Sequence, residues 1–253
     1  MKTTKLSKSL ILISILIIPM ILMIFSNAYA EELRVGVDTA FDPFEFKGKD
    51  GKYTGFDVDL WAAIAKRLKL EYKLVPMDFN GLIPGLTTGN LDVALAAIFI
   101  KSSREKAIDF SHPYFRAGLK VMVLTENKDI NGPADLKGKV VAVKTGTATV
   151  DYVKTLGVKK MVQFPNIDQA YLEVITGGAA AAVHDAPNVH YFIKNASKGK
   201  CKAVGSDIKA AYYGIAFQQG SALRDKVNVA LLESIEQGEY DTIYKKWFGS
   251  MPE

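Results

Sequence analysis

The sequence predicts an α/β fold of two lobes, each a parallel-rich sheet flanked by helices. Three observations predict it. Beyond the first thirty residues, strand-like and helix-like segments alternate, the pattern of parallel sheets covered on both faces. Residues 91–100 are almost continuously apolar, as a strand buried on both faces is. The alternation pauses and restarts near Lys139, which argues for two sheets rather than one large one.

The elements follow in order. Residues 33–37 read as a strand. Asp57 is placed to cap a helix whose apolar face is Val58, Leu60, Trp61, Ile64, Ala65 and Leu68, at helical spacing. Residues 70–75 read as a strand. Residues 80–88 read as a short helix interrupted by Pro84 and stopped at Gly89-Asn90. The apolar strand 91–100 comes next, then a helix over 103–108 and a strand over 119–124. Residues 131–138 form a loop with a helical turn at 134–136.

After Lys139, residues 140–143 form a strand and Thr147 opens a helix through Leu156. Residues 163–164 are extended, and Asp168 starts a helix to about Ile175. Residues 179–183 make a small-residue strand. Pro187 sits in the first turn of a helix to Asn195. A strand over 213–217 precedes two closing helices, 222–236 and 240–247, separated by Gly238. The chain is expected to cross between lobes at 114–118 and 209–213. Lobe 1 is then discontinuous, residues 31–114 and 213–253, and lobe 2 spans 115–212.

Residues 1–30 read as a signal peptide. Lys2, Lys5 and Lys8 precede an apolar run of 16 residues, 10–25, broken only by Ser14 and Pro19. Ala28-Tyr29-Ala30 has the small residues of a cleavage site, with the cut expected after Ala30. The run is short of the ~20 apolar residues that span a bilayer. The working protein is then expected to be exported. The chain ends at Glu253 without a spanning segment, which counts against the sensor half of a larger receptor.

Composition narrows the function. The chain has 253 residues, 49% hydrophobic and 23% charged, which excludes disordered and disulfide-stapled classes. Cys201 stands alone and is expected to be a buried free thiol. The net charge is +5, and it falls to +2 once the three N-terminal lysines are removed. Neither nucleic acid nor a membrane surface is required as partner. His112, His184 and His190 lack metal-ligand spacing, so no metal and no cofactor is expected. Phosphate-loop, dinucleotide, serine-hydrolase and zinc-protease motifs are absent.

What is present is a set of polar residues at strand ends. Asp38 follows the first strand and Arg104 comes shortly after the strand 91–100. Lys144 follows the strand 140–143, and His184-Asp185 follow the strand 179–183. Ligands bind at that edge of open parallel sheets, and one Arg, one Lys and two Asp suit a small zwitterion. Lys144-Thr145-Gly146-Thr147 adds backbone N–H groups at a helix start. Taken singly, Phe41 and Phe79 read as core aromatics and Arg104 as a solvated surface charge.

Together these residues resemble the glutamine-binding proteins of polar amino-acid ABC importers, solute-binding family 3. The resemblance is dense in 38–46, 55–66, 104–111, 138–144, 163–168 and 243–249. It implies the type II periplasmic-binding-protein fold, with two lobes on a two-strand hinge closing on the ligand. It also implies a monomeric, non-catalytic receptor that hands L-glutamine to an ABC permease in the inner membrane. By position, Arg104 grips the ligand α-carboxylate and the backbone near Ala148 adds N–H donors. Asp185 pairs with the α-ammonium, helped by the Ala97 carbonyl. Phe41 and Phe79 sandwich the aliphatic part, and Asp38, Lys144 and His184 surround the carboxamide. Ala97 and Phe99 stand where the family usually has Gly and Thr, and Ala148 where it usually has Gly. Phe99 is expected to use its own N–H, turn its ring aside or narrow the cleft. Rival readings are another polar amino acid, such as glutamate or histidine, or a cyclohexadienyl-dehydratase-like enzyme on the same fold.

Overall fold

The computed structural model describes residues 32–250, so the proposed signal peptide lies outside the described residues. The first strand, β1 (Leu33–Asp38), is buried from Val35 onward. A small antiparallel sheet follows, made of β2 (Ala40–Phe41), β3 (Glu45–Lys47) and β4 (Tyr53–Thr54). Helix α1 (Phe56–Leu68) buries Phe56, Leu60, Trp61, Ile64 and Ala65, most of the face expected from spacing, while Val58 and Leu68 are only half-buried. Then come β5 (Tyr72–Met77), α2 (Phe79–Thr87), β6 (Val93–Ala94), α3 (Ser102–Glu105) and β7 (Ile108–Phe110).

The second set opens with β8 (Phe115–Leu124), a 3₁₀ turn at Pro133–Leu136, β9 (Val140–Lys144) and α4 (Ala148–Lys154). Next are β10 (Lys160–Phe164), α5 (Ile167–Ile175), β11 (Ala181–Asp185), α6 (Ala186–Asn195) and β12 (Cys201–Tyr213). The chain finishes with β13 (Ala216–Gln218), α7 (Leu223–Glu236) and α8 (Glu239–Phe248).

Two five-stranded sheets result, ordered β5-β1-β6-β13-β7 and β10-β9-β11-β8-β12. Their inner strands are parallel: β1 with β5 and β6, and β9 with β10 and β11. Every residue of β11 is buried, which its run of small residues permits between helix layers. The segments joining the sheets lie side by side. Tyr114 N–H donates to the Tyr213 carbonyl at 3.0 Å, and Ser111 N–H to the Ile215 carbonyl at 2.8 Å. Rings of Phe44, Phe56, Phe115, Tyr213, Tyr244 and Phe248 pack beside them, with Phe44 and Phe115 centroids 5.1 Å apart.

Several sequence expectations change. The expected strand 91–100 is regular only at Val93–Ala94, because Ala97 takes φ 44 and turns the buried chain off the sheet. The expected helix 103–108 stops at Glu105, and Ile108 enters β7. Asp57 does not cap α1. Gly55 does, and the Asp57 carboxylate turns inward to the Ala97 N–H. The expected strand 213–217 is split, Tyr213 ending β12 and Ala216 starting β13. The 13-residue β12 carried little apolar alternation, because it is an edge strand with much of its length exposed. Its pairing with β8, like that of β13 with β6 and β7, is antiparallel. Cys201 is free and buried. Among the described residues no helix is long and apolar enough to cross a membrane.

Candidate functional site

Strand ends deliver the charged groups. Asp38 is the last residue of β1, Lys144 of β9 and Asp185 of β11. Phe79 opens α2, Ala148 opens α4 and Arg104 lies on α3. All of these border one small cavity of about 10 Å³, with Phe41, Ala97, Phe99 and His184. Every site residue expected from the sequence is thus brought to one place, and Ala96 and Thr147 complete the lining. The charged groups are almost wholly removed from water: Asp38 and Lys144 are each 1% exposed, Asp185 4% and Arg104 8%.

At one end of the cavity, Lys144 Nζ donates to Asp38 Oδ2 as a buried ion pair. Asp38 Oδ1 also accepts from the Thr39 N–H at 2.8 Å. Burial pushes the Asp38 carboxyl above the usual range, and Lys144 pulls against it. Lys144 Nζ also lies 5.6 Å from the Phe41 ring centre and 5.9 Å from that of Phe79, so both aromatic faces flank the pair. His184 is buried against Phe41, with ring centroids 5.2 Å apart. Burial, and secondarily the Lys144 charge, hold its pKa well below the ordinary value, so the imidazole is neutral.

At the other end, Arg104 Nη1 donates to the Phe99 carbonyl at 2.9 Å and Nη2 to the Gly146 carbonyl at 3.3 Å. Burial lowers its pKa, but a guanidinium stays charged in a protein. Asp185 accepts from the Tyr213 hydroxyl at 2.6 Å. Burial lifts the Asp185 carboxyl to about 7, against the opposing pull of Tyr213, Arg104 and Lys144. The Phe99 ring turns onto Tyr213, with centroids 4.7 Å apart. One cation and one anion therefore face the cavity at this end, while the other end is neutralised within the protein. Among the described residues no group of His, Cys, Asp and Glu could hold a metal ion.

Sequence reasoning missed three contributors. Thr147 Oγ1 donates to the Lys144 carbonyl at 2.8 Å and fixes the turn after β9. It lies in the Lys-Thr-Gly-Thr stretch, so a signal existed. Tyr213 holds Asp185 from 28 residues away, and Asp57 holds the Ala97 N–H from 40 residues away. Neither pairing leaves a trace in local sequence.

Residues 33–250 match the bacterial extracellular solute-binding proteins, family 3. The chain belongs to this family. The chain is 32% identical to an L-arginine-binding protein of Pseudomonas aeruginosa over 227 residues, 85% of this chain and 87% of that protein. It is 34% identical to a probable histidine-binding protein of Neisseria gonorrhoeae over 223 residues, 85% of this chain and 82% of that one. Among solved structures, an ancestral arginine-binding protein bound to arginine is similar at TM-score 0.83 and 41% identity, over 86% of this chain and 98% of that one. An ancestral arginine-binding protein bound to glutamine matches at TM-score 0.83 and 41% identity, over 87% of this chain and 98% of that one. The family-3 chain has the type II periplasmic-binding-protein fold.

Proposed function

We propose that this family-3 solute-binding protein is a non-catalytic periplasmic receptor for L-glutamine that delivers it to an ABC permease. The Lys144–Asp38 ion pair carries this reading. Arg104 supplies one positive charge for an α-carboxylate, and Asp185 one negative charge for an α-ammonium. Asp38 and Lys144 already neutralise each other where a ligand side chain would end. A zwitterion with a neutral side chain leaves every buried charge paired, whereas a net charge on that side chain adds an unpaired one. A carboxamide also fits in detail. Its NH₂ donates to Asp38 and its C=O accepts from Lys144. Phe41 and Phe79 flank the methylenes between.

Relatives named for arginine and histidine make cationic ligands the natural rivals. Lys144 Nζ would repel a second cation at this spot, while Asp38 would repel the carboxylate of glutamate. The proposed lobes are residues 31–114 with 213–253, and residues 115–212, and they close around the ligand. Export with cleavage after Ala30 belongs to the same reading, tested by the N-terminal mass of the cell-made protein. The deciding experiment is calorimetric titration of ligand-stripped protein with glutamine, glutamate, arginine and histidine. Glutamine should bind tightest. Tighter binding of arginine or histidine would mean that the Lys144–Asp38 pair opens for a cation, and would overturn the assignment.

A further inference from the structure

Glu45 and Asp57 are both fully buried, and Glu45 has no place in the ligand site. One turn brings them together. Gly55 sits at φ 139, so near the preceding strand that a Cβ there would lie 2.0 Å from the Phe44 carbonyl oxygen. The first N–H groups of α1 then close on that strand. Phe56 N–H donates to the Pro43 carbonyl and Asp57 N–H to the Phe44 carbonyl, both at 2.9 Å. Asp57 is thereby laid against Glu45, close enough for one carboxyl group to hydrogen-bond the other when one carries a proton. Asp57 Oδ2 accepts from the Ala97 N–H and the Tyr114 hydroxyl, each at 2.8 Å. Neither Glu45 oxygen nor Asp57 Oδ1 meets a donor from the described residues.

Two ionised carboxylates side by side, with no cation free to pair with them, are too costly to bury. We propose that Glu45 and Asp57 share one proton, carried on Glu45, and that this acid pair positions the Ala97 wall of the ligand cavity. Asp57 keeps the negative charge because it has two donors and sits in the first turn of α1, where the helix dipole favours an anion. Glu45 has neither, so its O–H donates to Asp57 Oδ1. The other titratable groups around the pair are Asp38, Asp42, Tyr114, Tyr213, Tyr240 and Lys144. Lys144 is the one cation among them and is held by Asp38. Burial raises the Glu45 pKa well above the carboxylate range and that of Asp57 to about 7.

The consequence reaches the ligand through the backbone. Ala97 adopts φ 44, a region an alanine rarely visits, and its N–H is tied to Asp57. Its carbonyl is the group assigned to the ligand ammonium, so this half of the proposal rests on the amino-acid reading above. The pair sets the Ala97 carbonyl without touching the ligand.

The test compares Glu45→Gln, Glu45→Leu and Asp57→Asn in the purified protein. Glutamine copies the protonated acid, and leucine removes the donor at similar size. At neutral pH the wild-type infrared spectrum should contain a protonated-carboxyl band that Glu45→Gln deletes. Stability linkage gives the second readout. A folded pKa above the ordinary value of 4.5 means that stability is greatest below that value and is lost as pH rises. Glu45→Gln should flatten this decline above about pH 5 and melt above wild type at the alkaline end. Glutamine affinity should stay within about twofold in Glu45→Gln. It should fall about tenfold in Glu45→Leu and Asp57→Asn, as loss of a charge-assisted hydrogen bond predicts. An unchanged infrared spectrum in Glu45→Gln overturns the shared proton, as does a Glu45→Gln protein as damaged as Glu45→Leu. If wild-type protein binds no glutamine, the functional reading falls instead. The infrared and melting readouts still decide the proton, and the affinity comparison moves to whichever amino acid binds.

Discussion

Asp185 must be ionised before it can hold an ammonium group, and its surroundings oppose that, lifting its carboxyl to about 7. In the ligand-free cavity the proton competes with the amino group. Glutamine affinity should therefore peak near about pH 8, below the titration of the ligand's own ammonium, and weaken towards tenfold per unit below about pH 6. Calorimetry across that range reads it, and a flat profile would remove Asp185 from the ammonium role. Arg104→Ala and Asp185→Ala should each preserve the fold and weaken binding. Leaving one ligand charge unpaired in a closed site costs about 3–5 kcal/mol, or roughly two to nearly four orders of magnitude. A loss under about fivefold at either position would contradict the role given to it. At this scale the site was legible wherever chemistry sat at a strand end: Asp38, Lys144 and Asp185 announce themselves by type and position. Phe41, Phe79 and Arg104 needed the family resemblance, because alone they read as core rings and a surface charge. Tyr213 and Asp57 were not legible, since their partners are distant in sequence and their effect passes through another residue.

Gly146 lies in the turn between β9 and α4 at φ 75, and a Cβ there would stand 2.9 Å from Asn80 Cβ on α2. The two residues belong to the two different sheets, so in the proposed open form this clash would be absent. Gly146→Ala should weaken glutamine binding by about tenfold or more, because the added methyl opposes closure while the positive φ costs roughly 1 kcal/mol. A melting scan separates the two effects: ligand-free protein should lose only a few degrees, as that backbone cost implies. Unchanged affinity would show that Asn80 yields. The elements themselves were readable to the extent that burial followed periodicity. Helix α1 shows its apolar stripe, and the parallel strands β1, β9 and β11 show short apolar runs. The segment 91–100 misled because a buried irregular stretch is as apolar as a strand, and only the φ of Ala97 separates them. Strand β12 was missed for the opposite reason: an exposed edge strand has no core face to write into the sequence.

The proposed closure of the molecule would rest on contacts between residues before 115 and residues of the second sheet. Besides the Lys144–Asp38 pair, Arg104 reaches the Gly146 carbonyl at 3.3 Å, Lys101 Nζ reaches Asp151 Oδ2 at 2.5 Å and Asn188 Nδ2 reaches the Asp42 carbonyl at 2.5 Å. With Asp38 and Lys144 each 1% exposed, the proposed lobes are expected to part to load the site. The joining segments at 111–114 and 214–215 are short and hydrogen-bonded side by side, Ser111 N–H to the Ile215 carbonyl and Tyr114 N–H to the Tyr213 carbonyl, which suits a hinge. A ligand that touches both units favours the closed state by its differential affinity. Small-angle scattering should therefore show a smaller radius with saturating glutamine than without it, and an unchanged radius would mean a rigid receptor. Asn188 offers the sharper version of this prediction. It is 3% exposed, lies outside the cavity lining, and accepts from the Tyr171 hydroxyl at 2.6 Å while donating to Asp42. Asn188→Ala removes a bond that exists only in the closed form, so the closed fraction falls and apparent affinity falls with it. The net worth of one such hydrogen bond, about 0.5–1.5 kcal/mol, sets the expected loss at roughly two- to tenfold. The ligand-free radius should be at or above the wild-type value, and saturating glutamine should still reach the wild-type closed radius. An affinity equal to wild type would show that Asn188 does not contribute to closure, and failure to reach the closed radius would show that it shapes the closed state itself.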